Sequence, residues 1–413
     1  MRNAKFAAAL IGTIWLAAGH QVAAAGIEPG PWRFVISSPI GDMPFNVDLS
    51  RSGEAWTATL INGPERIDAE TTTVAGDTLT IAFPSYDSRL SGALDGETLR
   101  GAITFNSAHG SVDVPFTARH GEAFRFSPKP TEAKIDLSGT WAVTALAPDG
   151  KTATHGIGEF TQNGTAVDGS VIYVNADTRF LNGELSGDTL ALSTFDGGYG
   201  TLWTAQVQPD GSLKGKSFLM GAGLVTAWSA VRDDTVMLPD PNTLTYLKDG
   251  YDRVEFSFPD LDGKPVSLAD DRFKDKVVIV TIAGTWCPTC HDEARFLAPF
   301  VAANRARGLE AIALQYEYSP EFDQAVAACR KFARRYGIDF PMLIAGTSDK
   351  AAASASLPMI SAVLVYPTMI VIDRKGEVRR IHTSFPGPAT GRRHEEFKRE
   401  FTALIDELLA EGA

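Results

Sequence analysis

The sequence predicts a multidomain fold in which two N-terminal antiparallel β barrel or sandwich repeats are followed by an α/β domain. The chain has 413 residues, which exceeds a single domain of roughly 150 residues. Of the 38 glycines, 26 lie between positions 26 and 245 and only 10 lie between 246 and 413. The charged residues also differ between these two regions. Residues 26–245 include 14 basic and 26 acidic residues, and residues 246–413 include 22 basic and 24 acidic residues. The front is therefore turn-rich and acidic, whereas the rear is nearly balanced.

The segment 1–25 has the pattern of a secretory signal peptide. Arg2 and Lys5 precede an apolar run from Phe6 to Ala18, and positions 23–25 are all alanine, as at a cleavage site. The run is shorter than the roughly 20 residues that cross a bilayer. We therefore expect a cleaved signal peptide over 1–25, export across the inner membrane and a periplasmic location. An uncleaved membrane anchor is the alternative.

The front region repeats itself, which indicates a duplication. Trp32 and Trp141 each open a short alternating strand, and Gly-Asp-Thr-Leu at 76–79 recurs at 187–190 with a similar offset. Runs such as TLTIAF and TLALSTF are bounded by Gly-Asp, Asp-Gly and Asn-Gly, which is typical of antiparallel strands joined by hairpins. These repeats predict two small β units.

We predict one β unit over 28–126 and the other over 137–234. Proline-containing segments at 127–132 and 238–243 are expected to join the units to each other and to the rear. The aromatic residues of the units are interpreted as core, with a ligand cup as the alternative; they include Trp56, Trp203 and Trp228.

From residue 256 the pattern changes to strands that alternate with helices. The run VVIVTIAG is continuously apolar, as in a strand buried in a central sheet. Helical segments follow it and the later strand LEAIALQY, and a terminal helix is expected from Arg393 to Ala410. Two further strands, PTMIVID and EVRRIHT, are expected to form a hairpin. This order predicts a mixed sheet with helices on both faces over 246–413.

Three cysteines are too few for a disulfide framework, but two of them stand three apart, at Cys287 and Cys290. The preceding strand ends near Ala283, so Cys287 falls at a helix N-terminus, where unpaired N–H groups and the helix dipole stabilise a thiolate. We therefore interpret Cys287 as a nucleophile and Cys290, one turn later, as the thiol that resolves a mixed disulfide. Cys329 lies on an apolar helical stripe and is expected in the core.

Residues 250–411 resemble the TlpA/ResA group of thioredoxin-like thiol-disulfide oxidoreductases. The motifs that carry the resemblance are FPDLDGKPVSL, Trp286-Cys287-Pro288-Thr289-Cys290, RRYGIDFP, and Tyr366-Pro367-Thr368 leading into MIVIDRKGEV. The resemblance implies a thioredoxin-like domain over 246–413, a redox-active Cys287–Cys290 disulfide and a cis bond before Pro367. A cis proline exposes the preceding backbone to an extended substrate segment. The implied substrate-binding residues are Trp286, Tyr366, Pro367 and Thr368.

Glu293 matches the position of the family's active-site glutamate. It lies three residues after Cys290, on the same face of the helix, and is proposed to relay a proton to or from that thiol. This role requires a pKa raised by burial, and the alternative is a solvated surface glutamate. His291 is expected to be exposed near the dithiol, where its charge would tune the thiolate.

Together these observations predict a periplasmic thiol-disulfide oxidoreductase, more specifically a protein disulfide reductase that uses no cofactor. Its partners are expected to be disulfide-containing proteins and an upstream membrane thiol-disulfide electron donor. The net charge of −12 argues against nucleic acid, and the acidity of the β repeats favours a protein partner with a basic surface.

Other functions fit parts of the pattern. A thiol peroxidase shares the fold, but peroxiredoxins place a threonine or serine three residues before the reactive cysteine, and neither Cys287 nor Cys290 has that arrangement. A copper-handling protein could use the two cysteines with His382, although the cysteine spacing is narrow for that class. The C-x-x-C-H pattern also occurs at covalent haem sites, which are largely helical.

Overall fold

A computed structural model describes residues 26–107, 110–147 and 150–411 of the chain. The predicted signal peptide over 1–25 lies outside the described residues. Within those three ranges no helix is both long enough and apolar enough to cross a membrane.

The first β region is a nine-stranded antiparallel sheet built from consecutive hairpins. Strand β1 pairs with β2 on one side and with β9 on the other. The sheet ends at β4 and β5, which follow each other in the chain without pairing, so it remains open. Its strands are β1 (Gly30–Ser38), β2 (Gly41–Ser52), β3 (Ala55–Asn62), β4 (Glu65–Asp68), β5 (Thr71–Ala75), β6 (Thr78–Phe83), β7 (Ser88–Asp95), β8 (Thr98–Ser107) and β9 (Gly110–His120).

The second β region is a closed eight-stranded barrel, because its first strand pairs with its last. Trp203 and Trp228 lie inside it in the predicted core role, whereas Trp56 of the open sheet is half-buried. The strands are β10 (Gly139–Leu146), β11 (Ala153–Asn163), β12 (Ala166–Tyr173), β13 (Leu181–Ser186), β14 (Thr189–Phe195), β15 (Gly200–Val207), β16 (Leu213–Leu219) and β17 (Leu224–Arg232).

The hydrophobic core of the open sheet is completed by the outer wall of the barrel, which has a second core inside it. The rings of Phe45 and Phe195, one from each region, lie 4.4 Å apart. Other outward-facing residues of the barrel wall complete the core of the open sheet; they are Leu202, Phe218 and Met220. The antiparallel β architecture is confirmed, but only the second region closes on itself. The first covers its apolar face with the side of its neighbour.

Two positions support the predicted duplication. Trp32 and Trp141 each donate the indole N–H to the backbone carbonyl four residues earlier, at 2.9 and 2.8 Å. Gly30 and Gly139, two residues before them, both have φ of +118°, in the region that favours glycine. The same local backbone conformation therefore begins each region, and the duplication itself stays a prediction.

The rear is a five-stranded mixed sheet with helices packed against it, as the alternation predicts. Strand β20 lies inside the sheet, where it pairs with β21 in parallel and with β23 antiparallel. It is buried along its whole length and apolar except for Thr281. The elements are α1 (Pro241–Leu244), β18 (Ser257–Pro259), β19 (Pro265–Ser267), β20 (Val277–Ala283), α2 (Pro288–Asn304), β21 (Leu309–Glu317), α3 (Phe322–Tyr336), β22 (Met342–Thr347), α4 (Lys350–Ser356), β23 (Thr368–Ile372), β24 (Val378–Thr383) and α5 (Arg392–Ala410).

The segment expected to separate front and rear is tied to the rear domain. Its short helix α1 lies against β24, where the side chains of Asn242 and His382 are joined by a hydrogen bond of 2.9 Å. The front and rear also meet directly around α2, the helix that carries the two neighbouring cysteines.

Candidate active site

Cys287 is the N-cap of α2, as the sequence predicts. Its backbone is extended, Pro288 occupies the first helical position, and the Cys287 sulfur accepts a hydrogen bond from the Cys290 N–H at 3.3 Å. Proline is favoured at this position because its fixed φ suits the helix and no N–H is lost. The helix therefore directs one of its unpaired N–H groups at the sulfur.

Both thiols are free and buried, with Cys287 4% and Cys290 1% exposed. The Cys287 thiol donates a hydrogen bond to the Tyr366 carbonyl at 3.3 Å. Burial, reinforced by the neighbouring Cys287 and Glu293, raises the pKa of Cys290 well above its ordinary value. Cys290 therefore holds its proton until a base removes it.

The Tyr366–Pro367 bond is cis, which confirms the expectation drawn from the resemblance. Trp286 is half-buried, stacks on Tyr318 with the ring centroids 4.8 Å apart, and meets Tyr366 edge-on. The Thr368 side chain is fully buried, and its hydroxyl donates to the Val365 carbonyl at 2.8 Å. Of the four implied substrate-binding side chains, Trp286 is the one with accessible surface, since Tyr366 and Pro367 are buried as well.

Glu293 is buried against the central sheet, with 2% of its surface exposed. One carboxyl oxygen accepts a hydrogen bond from the Thr281 hydroxyl, and the other has no partner among the residues that the structure describes. Burial raises the pKa of Glu293 to about 8. The solvated alternative is therefore wrong, and the raised pKa that the proton-relay hypothesis requires is present.

His291 is buried, with 1% of its surface exposed, so the expectation of an exposed histidine is wrong. Its Nε2 lies 2.7 Å from the Thr285 carbonyl, which only accepts, so this nitrogen carries the proton. The other nitrogen, Nδ1, then accepts from the Tyr336 hydroxyl at 2.7 Å. Burial lowers the pKa of His291 well below its ordinary value, and the ring is neutral rather than a charge that tunes the thiolate.

Glu317 is a site residue that the sequence analysis missed. It is buried at the end of β21 and accepts hydrogen bonds from the Thr285 N–H at 2.9 Å and the Thr285 hydroxyl at 2.7 Å. Thr285 begins the short segment that leads to Cys287, so Glu317 and His291 together hold that segment. The available signal was an acid at the carboxyl end of the strand that follows the cysteine-bearing helix. Cys329 is fully buried beside Glu317, in agreement with its predicted core position.

Two residues of the front half also reach the cysteine-bearing helix. Arg179 donates to both carboxylate oxygens of Asp292, at 2.6 and 3.2 Å, and to the Pro288 carbonyl at 3.2 Å. Tyr86 stacks on His291 with the ring centroids 3.7 Å apart. Both lie in turns between predicted strands, and no motif marks them in the sequence.

A cleft of about 280 Å³ lies where the front half meets the segment before the cysteines. Tyr86 and Asp87 form one wall, and Thr285, Trp286 and Tyr318 are on the other. The accessible surface beside Trp286 is therefore shared between the two halves of the molecule.

The copper alternative would require His382 near the cysteines. His382 instead packs against Phe397 of α5, with the ring centroids 4.8 Å apart, and is bonded to Asn242. In the described part of the chain, no three or more His, Cys, Asp or Glu side chains are grouped so that they could hold a metal ion.

Comparison with known proteins matches residues 249–392 to the Redoxin family. Thiol-disulfide oxidoreductase ResA of Bacillus thuringiensis subsp. konkukian is 29% identical over 153 residues, which are 37% of this chain and 78% of that protein. The thioredoxin-like protein YneN of Bacillus subtilis is 29% identical over 136 residues, 33% of this chain and 72% of that protein. A crystal structure of a thioredoxin-family thiol:disulfide interchange protein from Chlorobium tepidum is 21% identical, with 43% of this chain and 100% of that chain covered and a TM-score of 0.29.

The family match falls on the residues that build the dithiol site. The family match covers the strand β20, the cysteine-bearing helix α2 and the strand β23 after the cis proline. The rear of the chain is therefore a TlpA/ResA-type thioredoxin-like domain, and the protein is a thiol-disulfide oxidoreductase.

Proposed function

We propose that the protein is a periplasmic protein disulfide reductase. The Cys287 thiolate attacks one sulfur of a substrate disulfide and expels the other as a thiolate, which leaves a mixed disulfide. Cys290 then loses its proton and attacks the Cys287 sulfur, so the second substrate thiolate leaves and a Cys287–Cys290 disulfide forms. The substrate has gained two electrons, which an upstream membrane thiol donor must restore to the protein.

The observation that carries the exchange mechanism is the position of a buried Glu293 near a buried, protonated Cys290. Cys290 is inert until its proton is removed, because only the thiolate attacks a disulfide. Glu293 has one carboxyl oxygen without a partner and a pKa of about 8, so a fraction of it is ionised near neutral pH. In its ionised form Glu293 takes the Cys290 proton, and the resolution step accelerates as the pH rises toward 8.

Assays of single cysteine variants test the order of the two thiols. With insulin or a model disulfide as substrate, Cys287→Ala is expected to lose turnover, and Cys290→Ala is expected to accumulate trapped mixed disulfides. Cys329→Ala is the matched control, because that thiol is buried away from the dithiol beside Glu317 and should leave turnover unchanged. Turnover by Cys290→Ala without any trapped species would refute the mechanism.

The reducing direction rests on the resemblance and is tested by the reduction potential of the Cys287–Cys290 couple. Sites of this kind span about −270 to −120 mV, and a reductase should lie toward the negative end. A potential near the positive end would identify an oxidant instead. Mass spectrometry of the proteins that Cys290→Ala traps in its native compartment would identify the substrates.

Export and the role of the front half belong to the same proposal. Fractionation of cells and N-terminal sequencing of the mature chain are expected to find a periplasmic protein that begins near residue 26. The acidic front half is expected to orient the redox domain and to favour a partner with a basic surface. Recovery of the intact chain from the cytoplasm would remove the periplasmic assignment.

A further inference from the structure

The front half contributes a buried arginine to the helix that carries the dithiol. Arg179 lies in the turn between β12 and β13, where its backbone is left-handed with φ of +58°. Asp177 accepts the Arg179 backbone N–H at 2.7 Å, which stabilises this turn. The side chain is buried, although arginine is rarely buried unless its charge is compensated.

Three carboxylates from three parts of the chain surround the Arg179 guanidinium. Glu65 at the start of β4 lies 3.2 Å away, Asp196 between β14 and β15 lies 3.1 Å away, and Asp292 of α2 accepts two hydrogen bonds. The open sheet, the barrel and the redox domain therefore meet at one side chain. A planar guanidinium suits this position because its donors point in fixed directions.

The contacts of Arg179 on α2 fall on both ends of the first helical turn. Pro288 and Asp292 are four residues apart, and Cys290 lies between them. The N–H that points at the Cys287 sulfur belongs to this turn, at 3.3 Å. That N–H group stabilises the thiolate only while it points at the sulfur. The contacts of Arg179 that hold this turn in place therefore affect the reactivity of Cys287.

Tyr86 adds a second contact from the front half to the same turn. Its ring stacks on His291, and its hydroxyl donates to Asp196 at 2.9 Å, the carboxylate that also pairs with Arg179. His291 in turn holds the Thr285 carbonyl just before the cysteines. Two adjacent helix residues, His291 and Asp292, are thus held from outside the redox domain.

We propose that Arg179 is a positioning residue of the redox site, which holds the first turn of α2 through Asp292 and the Pro288 carbonyl and thereby keeps the Cys290 N–H aimed at the Cys287 sulfur. The β half is then part of the active site and not only a partner-binding attachment. This inference rests on the proposed role of Cys287 as the reactive thiol, but it does not depend on the direction of electron flow.

The test is the rate at which the full-length reduced protein is alkylated at Cys287, measured against pH. Arg179→Gln is expected to slow the alkylation of Cys287 near neutral pH by about tenfold and to shift the rate–pH profile toward higher pH, because the thiolate loses the N–H group that stabilises it. Alkylation needs no substrate or electron donor, so failure here is distinguishable from failure of the proposed reductase function.

Arg125→Gln is the matched control. Arg125 is also a buried arginine of the front half, but its bonds go to Ser193, Asn62 and the Ile61 carbonyl, all within the β regions. We expect it to weaken the β half while the rate–pH profile of Cys287 alkylation stays as in the unmodified protein. An equal shift in both arginine variants would overturn the proposal, because general loosening of the β half would then explain it.

Arg179→Lys separates position from charge. The ammonium keeps the positive charge but cannot hold both oxygens of Asp292 and the Pro288 carbonyl, so the rate–pH profile of Cys287 alkylation should still shift toward higher pH. A profile identical to that of the unmodified protein would overturn the proposal. If the Arg179 variants do not fold, Tyr86→Leu is measured instead, since it changes no charge. It is expected to shift the profile in the same direction by less, and an unchanged profile would refute the proposal.

Discussion

Two buried carboxylates on opposite sides of the active-site helix have different surroundings: one is paired with a cation and the other is not. Asp292 faces the β half and is 5% exposed, whereas its neighbour Glu293 faces the central sheet and is 2% exposed. Asp292 accepts a two-pronged hydrogen bond from Arg179 and a further bond from Arg295. Within the described residues Glu293 has one hydroxyl donor and no cation beside it, and burial raises its pKa to about 8.

This difference distinguishes the side of the helix that holds the domains together from the side that can exchange a proton with Cys290. A buried carboxylate must be paired with a cation or must keep its proton, because an isolated charge in the interior is too costly. The paired carboxylate, Asp292, joins the β half to the redox domain through Arg179. The unpaired carboxyl group of Glu293 keeps its proton near Cys290 and can exchange it. Its ionisation lowers the free energy of unfolding of the protein, because the charge is buried.

The largest expected effect is a pH-dependent gain of stability in Glu293→Gln. The unfolded glutamate ionises near pH 4.3 and the folded one near 8, so the folded state retains a proton that the unfolded state releases between these values. The free energy of unfolding of the unmodified protein therefore falls as the pH rises through this window. The glutamine variant lacks this loss, so its advantage should grow by about 4 kcal/mol between pH 5 and 8.5.

Urea unfolding at several pH values measures this advantage. The low pKa of His291 also makes stability depend on pH below 6.5, but it does so equally in both proteins and cancels from the difference. A constant difference from pH 5 to 8.5 would mean that Glu293 is ionised in the folded state.

The next largest effect is expected on the other side of the helix. Asp292→Asn removes one partner of a buried ion pair and should lower the free energy of unfolding by about 3 kcal/mol. At pH 6, where Glu293 is protonated, Glu293→Gln should change the free energy of unfolding by less than about 1 kcal/mol. Chemical denaturation of the two variants side by side gives both values, and equal losses would erase the distinction between the paired and the unpaired carboxylate.

Tyr86→Leu tests the aromatic contact between the halves. The substitution removes the stacking on His291 and the hydrogen bond to Asp196, with an expected loss of about 1.5 kcal/mol. Tyr86→Phe keeps the ring and should retain the stacking part of that energy. Thermal unfolding of the pair distinguishes the two contributions, and a loss in the phenylalanine variant as large as in the leucine variant would assign no energy to the rings.

The smallest effect is expected at the edge of the same interface, where Lys331 of α3 pairs with Asp87. Both side chains are partly exposed, so solvent screens the pair and Lys331→Ala should cost less than about 0.5 kcal/mol. Unfolding in low and high salt provides the check. A loss of unfolding free energy as large as that of Asp292→Asn would show that the buried ion pair contributes no more to stability than the exposed one.

Local sequence rules were sufficient for the chemistry around the cysteines. A buried strand followed by Trp-Cys-Pro-Thr-Cys places Cys287 at a helix cap, because the strand, the turn and the proline are adjacent in the chain. The spacing of three residues puts Glu293 on the face of Cys290, and the apolar stripe buries Cys329. The same rules misplaced His291, because its burial depends on Tyr336 and on a ring from the β half.

The sequence by itself therefore predicted the antiparallel and mixed sheets, the dithiol and the position of Glu293 on the helix face of Cys290, since each is encoded by residues close together in the chain. Only the tertiary structure decided that one β region closes while the other stays open, because both have the same alternating strands. It also decided that Arg179 meets Asp292 across 113 residues of chain. Contacts of that kind arise from how whole sheets pack, which no short pattern records.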